Sequence, residues 1–354
     1  MNGTHPRSRV RRLVVLGGAS VLAGRRFARR QLERARRGAD WNVLKSGPHR
    51  PANFHQVRAV DGVKLVVAES GSADATTTVV LLHGWTLSGE IWDQVAQELE
   101  SSLRVLRLDH RGHGRSERGS IADLTIDQLG SDLGAVLDAL VPDGDVVLVG
   151  HSMGGMTIMH LAAQRPEVFG SRVRGVVLVG TSLGELASLD LGLPRPVARL
   201  VQRHGHWMLR IMALLKSRVS PVGPVPAELW FAVRSLNYGP RVPARHVDEM
   251  IRVVRRTPLG VVSAFYGALL QHDGASGVPG LLKVPVAVVV GDSDRLTPTS
   301  HSRKIAAHLP HARLTIVPEA GHMVVQERPD VVAGEVLELV PERSKIDLIA
   351  GGQR

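Results

Sequence analysis

The stretch Gly150-His151-Ser152-Met153-Gly154 follows directly on an apolar run, Val146-Val147-Leu148-Val149. A serine at the end of a buried strand, flanked by glycines two residues before and two after, has the spacing of a nucleophile held on a sharp strand-to-helix turn. The turn forces the serine into a strained backbone conformation, and residues without Cβ leave room for the turn to pack. The helix that follows, over Met153 to Gln164, aims its N-terminal amides at the same place.

A serine nucleophile needs a base, an orienting carboxylate and donors for the oxyanion that develops. Thr78-Val79-Val80-Leu81-Leu82 runs into His83-Gly84-Trp85, a loop placed to supply one oxyanion-hole amide. With the residue after the nucleophile as second donor, the expected pair is the Trp85 and Met153 N–H groups. Val286-Ala287-Val288-Val289-Val290 leads to Gly291-Asp292-Ser293-Asp294, where either carboxylate could orient a histidine. Arg313-Leu314-Thr315-Ile316-Val317 leads to Gly321-His322-Met323, which makes His322 the candidate general base. The chain order is therefore Ser…Asp…His. Asp109, His110 and His113 resemble a metal cluster at first sight. They lack a fourth ligand of usable spacing, so no metal is expected, and they read as residues fixing the Gly112/Gly114 loop. His83 reads as a buried structural histidine.

These groups must be positioned by a scaffold, and the elements alternate accordingly. Gln56–Val60 and Val63–Glu69 flank Asp61-Gly62, a hairpin signal. Strand and helix patterns then alternate: Thr78–Leu82, a helix near Gly89–Glu100, Arg104–Leu108, a helix over Ile126–Leu140, Asp145–Val149, the post-elbow helix, and Arg174–Val179. The strands are short continuous apolar runs, which implies a mostly parallel sheet with helices on both faces. From Leu183 to about Gly280 the signals are helical only: Val197–His204, Trp207–Lys216, Ala227–Ser235, Val247–Arg256 and Leu259–Leu270. Helical material between two strands predicts a lid over the carboxyl ends of the sheet, where open α/β sheets hold their sites. Trp207, Met208, Met212, Trp230, Phe231 and Phe265 lie in it and read as its core rather than as substrate contacts. The chain divides into an arm and linker (1–50), a first part of the core (51–182), the lid (183–280), and a second part of the core with a C-terminal tail (281–354).

On these motifs the sequence resembles the α/β-hydrolase superfamily over about Val57 to Val340, most closely the cofactor-free haloperoxidase and esterase group. The resemblance rests on His83-Gly84-Trp85-Thr86-Leu87-Ser88-Gly89 with Trp92-Asp93, on Asp109-His110-Arg111-Gly112-His113-Gly114-Arg115-Ser116, and on Gly150-His151-Ser152-Met153-Gly154-Gly155. It implies the α/β-hydrolase fold with an inserted helical lid, no cofactor, and a Ser152–His322–Asp294 triad. Asp294 is favoured over Asp292 because the family pattern places the acid three residues after the strand-end glycine, here Gly291. Perhydrolase-type members often carry proline after H-G-W. Thr86 stands there in this chain, which favours plain ester hydrolysis over peracid chemistry. Thioesterases, C–C hydrolases and acyltransferases use the same triad and remain alternatives, as does a non-catalytic binding protein at a membrane surface. Epoxide hydrolases and haloalkane dehalogenases need an aspartate where this chain has Ser152.

The chain has 354 residues, no cysteine, 44% hydrophobic and 22% charged residues. Disulfides, thiolate metal sites and cysteine nucleophiles are excluded. Aromatics at 3% argue against nucleic-acid binding by base stacking. Of the net charge of +11, residues 1–38 account for +10, with eleven arginines against the single acid Glu33. Within that arm lies a twelve-residue apolar run, residues 13–24. It is too short to span a bilayer. An export signal is the weaker reading, because no small-x-small cleavage site closes the run and Arg25, Arg26, Arg29, Arg30 and Arg34 follow it. The preferred expectation is a peripheral anchor on an anionic membrane surface, with a cytoplasmic enzyme acting on an apolar small-molecule ester. An idle basic tail is the remaining reading.

Overall fold

The computed structural model describes residues 28–36, 53–72, 74–186 and 226–341. In chain order its elements are a helix over residues 28–36 (α1), then β1 (Asn53–Arg58), β2 (Lys64–Gly71), β3 (Thr77–Leu82), α2 (Asp93–Leu99), β4 (Arg104–Asp109), α3 (Ile126–Leu140), β5 (Asp145–His151), α4 (Met153–Gln164) and β6 (Val173–Val179). After β6 come α5 (Ala227–Asn237), α6 (Ala244–Val254), α7 (Leu259–Leu270) and α8 (Val278–Leu281). The chain then re-enters the sheet with β7 (Val286–Gly291), α9 (Thr299–His308), β8 (Arg313–Val317), α10 (Val324–Glu327) and α11 (Pro329–Leu339).

The eight strands lie in the order β1-β2-β4-β3-β5-β6-β7-β8. β1, β2 and β4 pair antiparallel, and every later pairing is parallel. The expected hairpin is present: the turn between β1 and β2 closes through Gly62 N–H to the Ala59 carbonyl at 2.9 Å, with Gly62 at φ +83°. Successive side chains of a strand face opposite sides of a sheet, so each strand feeds two cores. Val79, Leu81, Val147, Val149, Val177, Val179 and Val289 pack on one side with α2 and α11. Val80, Leu82, Val146, Leu148, Val176, Leu178 and Val288 pack on the other with α3 and α4. Every residue of β3 and β7 is buried. That burial explains why these strands read as unbroken apolar runs.

The predicted bounds of α3, α4, α7 and β8 coincide with the observed ones. At α3 the start is fixed by Thr125, whose hydroxyl accepts the Gln128 N–H at 3.1 Å. β5 runs two residues further than its apolar core, because Gly150 and His151 stay in register with Leu178 and Val179. Of the helices expected in the insertion, Ala227–Ser235, Val247–Arg256 and Leu259–Leu270 correspond to α5, α6 and α7. The two expected at Val197–His204 and Trp207–Lys216, with Trp207, Met208 and Met212, lie outside the described residues. Trp230 and Phe265 are fully buried, as core residues should be.

One feature of the arm differs from the expectation of a segment separate from the body. Helix α1 packs on the insertion: Leu32 is buried in the cluster that includes Trp230, Val247 and Ile251. Arg36 grips Asp248 of α6 with two hydrogen bonds, 2.8 and 3.0 Å. Arg29, Arg30 and Arg34 of the same helix face solvent. The apolar run at 13–24 lies outside the described residues. No helix among the described residues is long and apolar enough to cross a membrane.

Candidate active site

Ser152 stands between the end of β5 and the first turn of α4 with φ +53° and ψ −117°. A non-glycine residue in that region is strained and persists only where its surroundings over-determine it. Here the Ser152 N–H donates to the Val179 carbonyl at 2.9 Å, and its own carbonyl accepts the Thr181 hydroxyl at 2.8 Å. The glycines do the work the sequence suggested. A Cβ on Gly154 would stand 2.2 Å from the Leu82 carbonyl oxygen, and one on Gly150 would meet Gly154 at 2.5 Å. Gly84 also passes near the elbow, a Cβ there lying 3.1 Å from Ser152 Cβ.

His322 and Asp294 are brought together from separate loops. His322 Nδ1 donates to Asp294 Oδ2 at 2.9 Å, and both side chains are buried. The second carboxylate oxygen accepts the Leu296 and Thr297 amides at 2.8 Å each, and the Thr297 hydroxyl donates to Oδ2 at 2.8 Å. Burial pushes the Asp294 carboxyl up, but the His322 ring and these donors outweigh it and hold the group below its ordinary value. With Nδ1 engaged as donor, neutral His322 keeps Nε2 as an acceptor. Asp292 does not reach the imidazole; it is exposed and accepts the Ser293 hydroxyl at 2.9 Å.

His151, one residue before the serine, ties the two loops to each other. Its Nε2–H donates to the His322 carbonyl at 2.9 Å, and the two rings lie 4.7 Å apart. Burial pushes His151 down to about 3, so it is neutral. The base loop is also held from the insertion side. Glu327 accepts the Gly321 N–H at 2.7 Å and the Gly239 N–H at 2.8 Å, and Met323 N–H donates to the Asn237 carbonyl at 2.9 Å. Burial pushes the Glu327 carboxyl up to about 6 against those two amides.

The Trp85 and Met153 amides donate to no other group among the described residues. Met153 is the first residue of α4, where a helix leaves its N–H groups unpaired. Thr86 beside Trp85 has φ +66° and gives its N–H to His113 Nε2 at 3.2 Å. Proline can neither adopt that φ nor make that bond, so the residue type matches the loop conformation. His113 returns its other proton to the Arg111 carbonyl at 3.1 Å, and burial pushes it down to about 4. His83 is buried, with Nδ1 on the Gly84 carbonyl at 2.7 Å and Nε2 accepting the His110 amide at 3.0 Å. Asp109 accepts the Gly89 N–H at 2.7 Å and the Arg115 N–H at 2.9 Å, and a Cβ on Gly114 would collide with its carboxylate at 2.2 Å. These residues thus shape loops beside the elbow.

His151, Thr297 and Glu327 were not singled out from the sequence. His151 lies inside the elbow motif itself, which is a signal of place though not of role. Thr297 and Glu327 act on partners from other segments, and no local pattern marks them.

Residues 79–335 match the alpha/beta hydrolase family. The chain belongs to that family. Among relatives of this α/β hydrolase is a lipase of Mycobacterium tuberculosis, 40% identical over 216 residues, covering 56% of this chain and 81% of the relative. A bifunctional esterase/perhydrolase of Acinetobacter calcoaceticus is 29% identical over 258 residues, covering 72% and 87%. Among solved structures, an esterase from Exiguobacterium antarcticum superposes with a TM-score of 0.66 at 20% identity, covering 82% of this α/β hydrolase and all of that chain. The last likeness speaks for the fold.

Proposed function

We propose that this α/β hydrolase cleaves carboxylic esters of apolar small molecules or lipid-like substrates through a Ser152–His322–Asp294 triad. The observation that carries the proposal is the buried Nδ1–Oδ2 bond between His322 and Asp294, tied through His151 to the turn that holds Ser152 at φ +53°. In this reading His322 Nε2 takes the Ser152 proton as Oγ attacks the ester carbonyl. The Trp85 and Met153 amides receive the oxyanion, and His322 returns the proton to the departing alkoxide. Water then attacks the acyl-serine by the same route. Asp294 stays ionised, holds the Nδ1–H tautomer and stabilises the imidazolium. The names of the relatives, a lipase and an esterase, support the ester reading.

The arm adds a location. Arg29, Arg30 and Arg34 project from α1, and the apolar run at 13–24 precedes them. Such a combination favours peripheral attachment to an anionic membrane surface, on the cytoplasmic side.

The test is labelling by a fluorophosphonate together with turnover of p-nitrophenyl esters of rising chain length. The wild-type protein should label and turn over, and Ser152→Ala should lose both, with kcat down on the order of 10⁴–10⁶. Wild-type turnover by folded Ser152→Ala would overturn the mechanism.

A further inference from the structure

Thr257 sits in the turn between α6 and α7, distant in sequence from every residue of the proposed triad and oxyanion hole. Its side chain is nearly buried, and its hydroxyl donates to the Thr86 carbonyl at 3.0 Å. Thr86 is the residue after Trp85, and its φ of +66° is costly for a β-branched side chain. A conformation of that kind is strained and relaxes unless held. Three contacts hold it: the Thr257 hydroxyl on its carbonyl, His113 Nε2 on its amide at 3.2 Å, and its own hydroxyl on the Trp85 carbonyl at 2.6 Å. The Trp85 side chain is fixed from the same direction. Its indole N–H donates to the Val262 carbonyl in α7 at 3.2 Å, and its ring lies 5.8 Å from that of Tyr266. At the surface of the same turn, Arg256 pairs with Glu90 at 2.5 Å.

We propose that Thr257 is a positioning residue for the oxyanion hole: through the Thr86 carbonyl it holds the 85–86 segment so that the Trp85 amide points at the reacting centre. The insertion therefore contributes to rate as well as covering the site. The proposal rests on the reading of Trp85 as an oxyanion donor. Without the Thr257 hydroxyl, the Thr86 carbonyl loses its partner and the strained φ loses one of three restraints. The backbone at Thr86 then relaxes toward an ordinary conformation, and the shift passes back through Trp85 to the 84–85 peptide that carries the Trp85 N–H. Loss of a whole oxyanion donor costs about 10²–10³ in kcat, and a donor that is misplaced part of the time should cost roughly ten- to a hundredfold. Such a donor acts on the transition state more than on the bound ester, so KM should move little.

The experiment compares Thr257→Val, which keeps the shape and removes the donor, with Thr257→Ser, which keeps the donor. Turnover of a p-nitrophenyl ester, labelling by a fluorophosphonate, inhibition by a trifluoromethyl ketone and thermal unfolding are measured on both. The expected result is a ten- to hundredfold fall in kcat for T257V with KM within about threefold. Ketone affinity should fall in parallel, and T257S should stay near the wild type. Unchanged kcat in T257V, or equal losses in both variants, overturns the proposal. Should T257V fail to fold, Thr257→Ala removes the same donor with a smaller side chain; it should show the same split between kcat and KM against T257S, and wild-type kcat there overturns the proposal as well. A wild-type protein that the fluorophosphonate does not label would sink the hydrolase reading itself. A labelled wild type with T257V labelling at the same rate sinks only the role given to Thr257.

Discussion

Asp294 accepts four hydrogen bonds while nearly all of it is withdrawn from water, and that density of donors distinguishes it from Asp292 two residues earlier. A carboxylate so placed keeps its charge despite burial and can fix one tautomer of its histidine. Asp294→Asn should therefore lower kcat on the order of 10⁴, whereas Asp292→Asn should leave it within a few-fold of the wild type. A side-by-side assay of the two decides the matter, and the reverse ranking would give the orienting role to Asp292. Ser152, His322 and the Asp292/Asp294 pair stood out in the sequence because each lies within a few residues of the end of an apolar strand; the preference for Asp294 over Asp292 came from the family pattern. Other residues at the site were not. His151 meets the His322 carbonyl across 171 positions, and Thr257 meets Thr86 across another 171. The buried Arg111 bridges Asp132 and Asp61, 21 and 50 positions away. Pairings of that range leave no periodicity to read, and only the fold creates them.

Among the elements, helices with a clear start or stop were the most legible. Thr125 caps α3, the elbow begins α4, and Pro258 precedes α7, so their predicted and observed bounds agree. The connection between α5 and the base loop was hidden, because it is made by long-range contacts: the Met323 N–H on the Asn237 carbonyl and an acidic side chain in the one-turn helix α10. Glu327 there binds an amide on each side of the joint, Gly321 and Gly239. Its carboxyl is raised to about 6 from an ordinary 4.5, chiefly by burial and further by the charge of Asp294, while the two amides oppose the shift. A group raised on folding holds its proton more tightly in the folded state. Its contribution to stability is then full below about 4.5 and is lost as pH rises through about 6. The size is roughly 2 kcal/mol at 1.36 kcal/mol per unit. The unfolding free energy of the wild type minus that of Glu327→Gln should therefore fall by about that amount between pH 4 and pH 7. Denaturant unfolding at a series of pH values measures it, and a flat difference would refute the assignment.

At the scale of the whole molecule the charge is divided between a near-neutral body and a strongly basic beginning, as composition alone indicated. Composition did not indicate where the division falls. A helix of arginines with one buried leucine has no apolar stripe, so nothing in its pattern announced that α1 belongs to the body. Removing residues 1–27 should weaken binding to anionic vesicles and leave stability and turnover unchanged. Removing residues 1–39 should in addition lower stability by about 2 kcal/mol, the order expected for re-exposing a leucine of Leu32's burial. Vesicle sedimentation and thermal unfolding of the two truncations read these outcomes separately, and equal stability of both would contradict the docking of α1. The seat of that helix also limits how the chain could be processed. Asp248 serves two donors, the Arg36 guanidinium and the Trp230 indole N–H at 2.8 Å. A cut ahead of residue 28 would leave the Arg36–Asp248 pair and the burial of Leu32 in place. A cut after residue 36 would strip one donor from Asp248 and bare the apolar ground beneath Leu32, creating a sticky new end prone to self-association. Cleavage upstream of α1 would spare these contacts, whereas cleavage within or after it would break them.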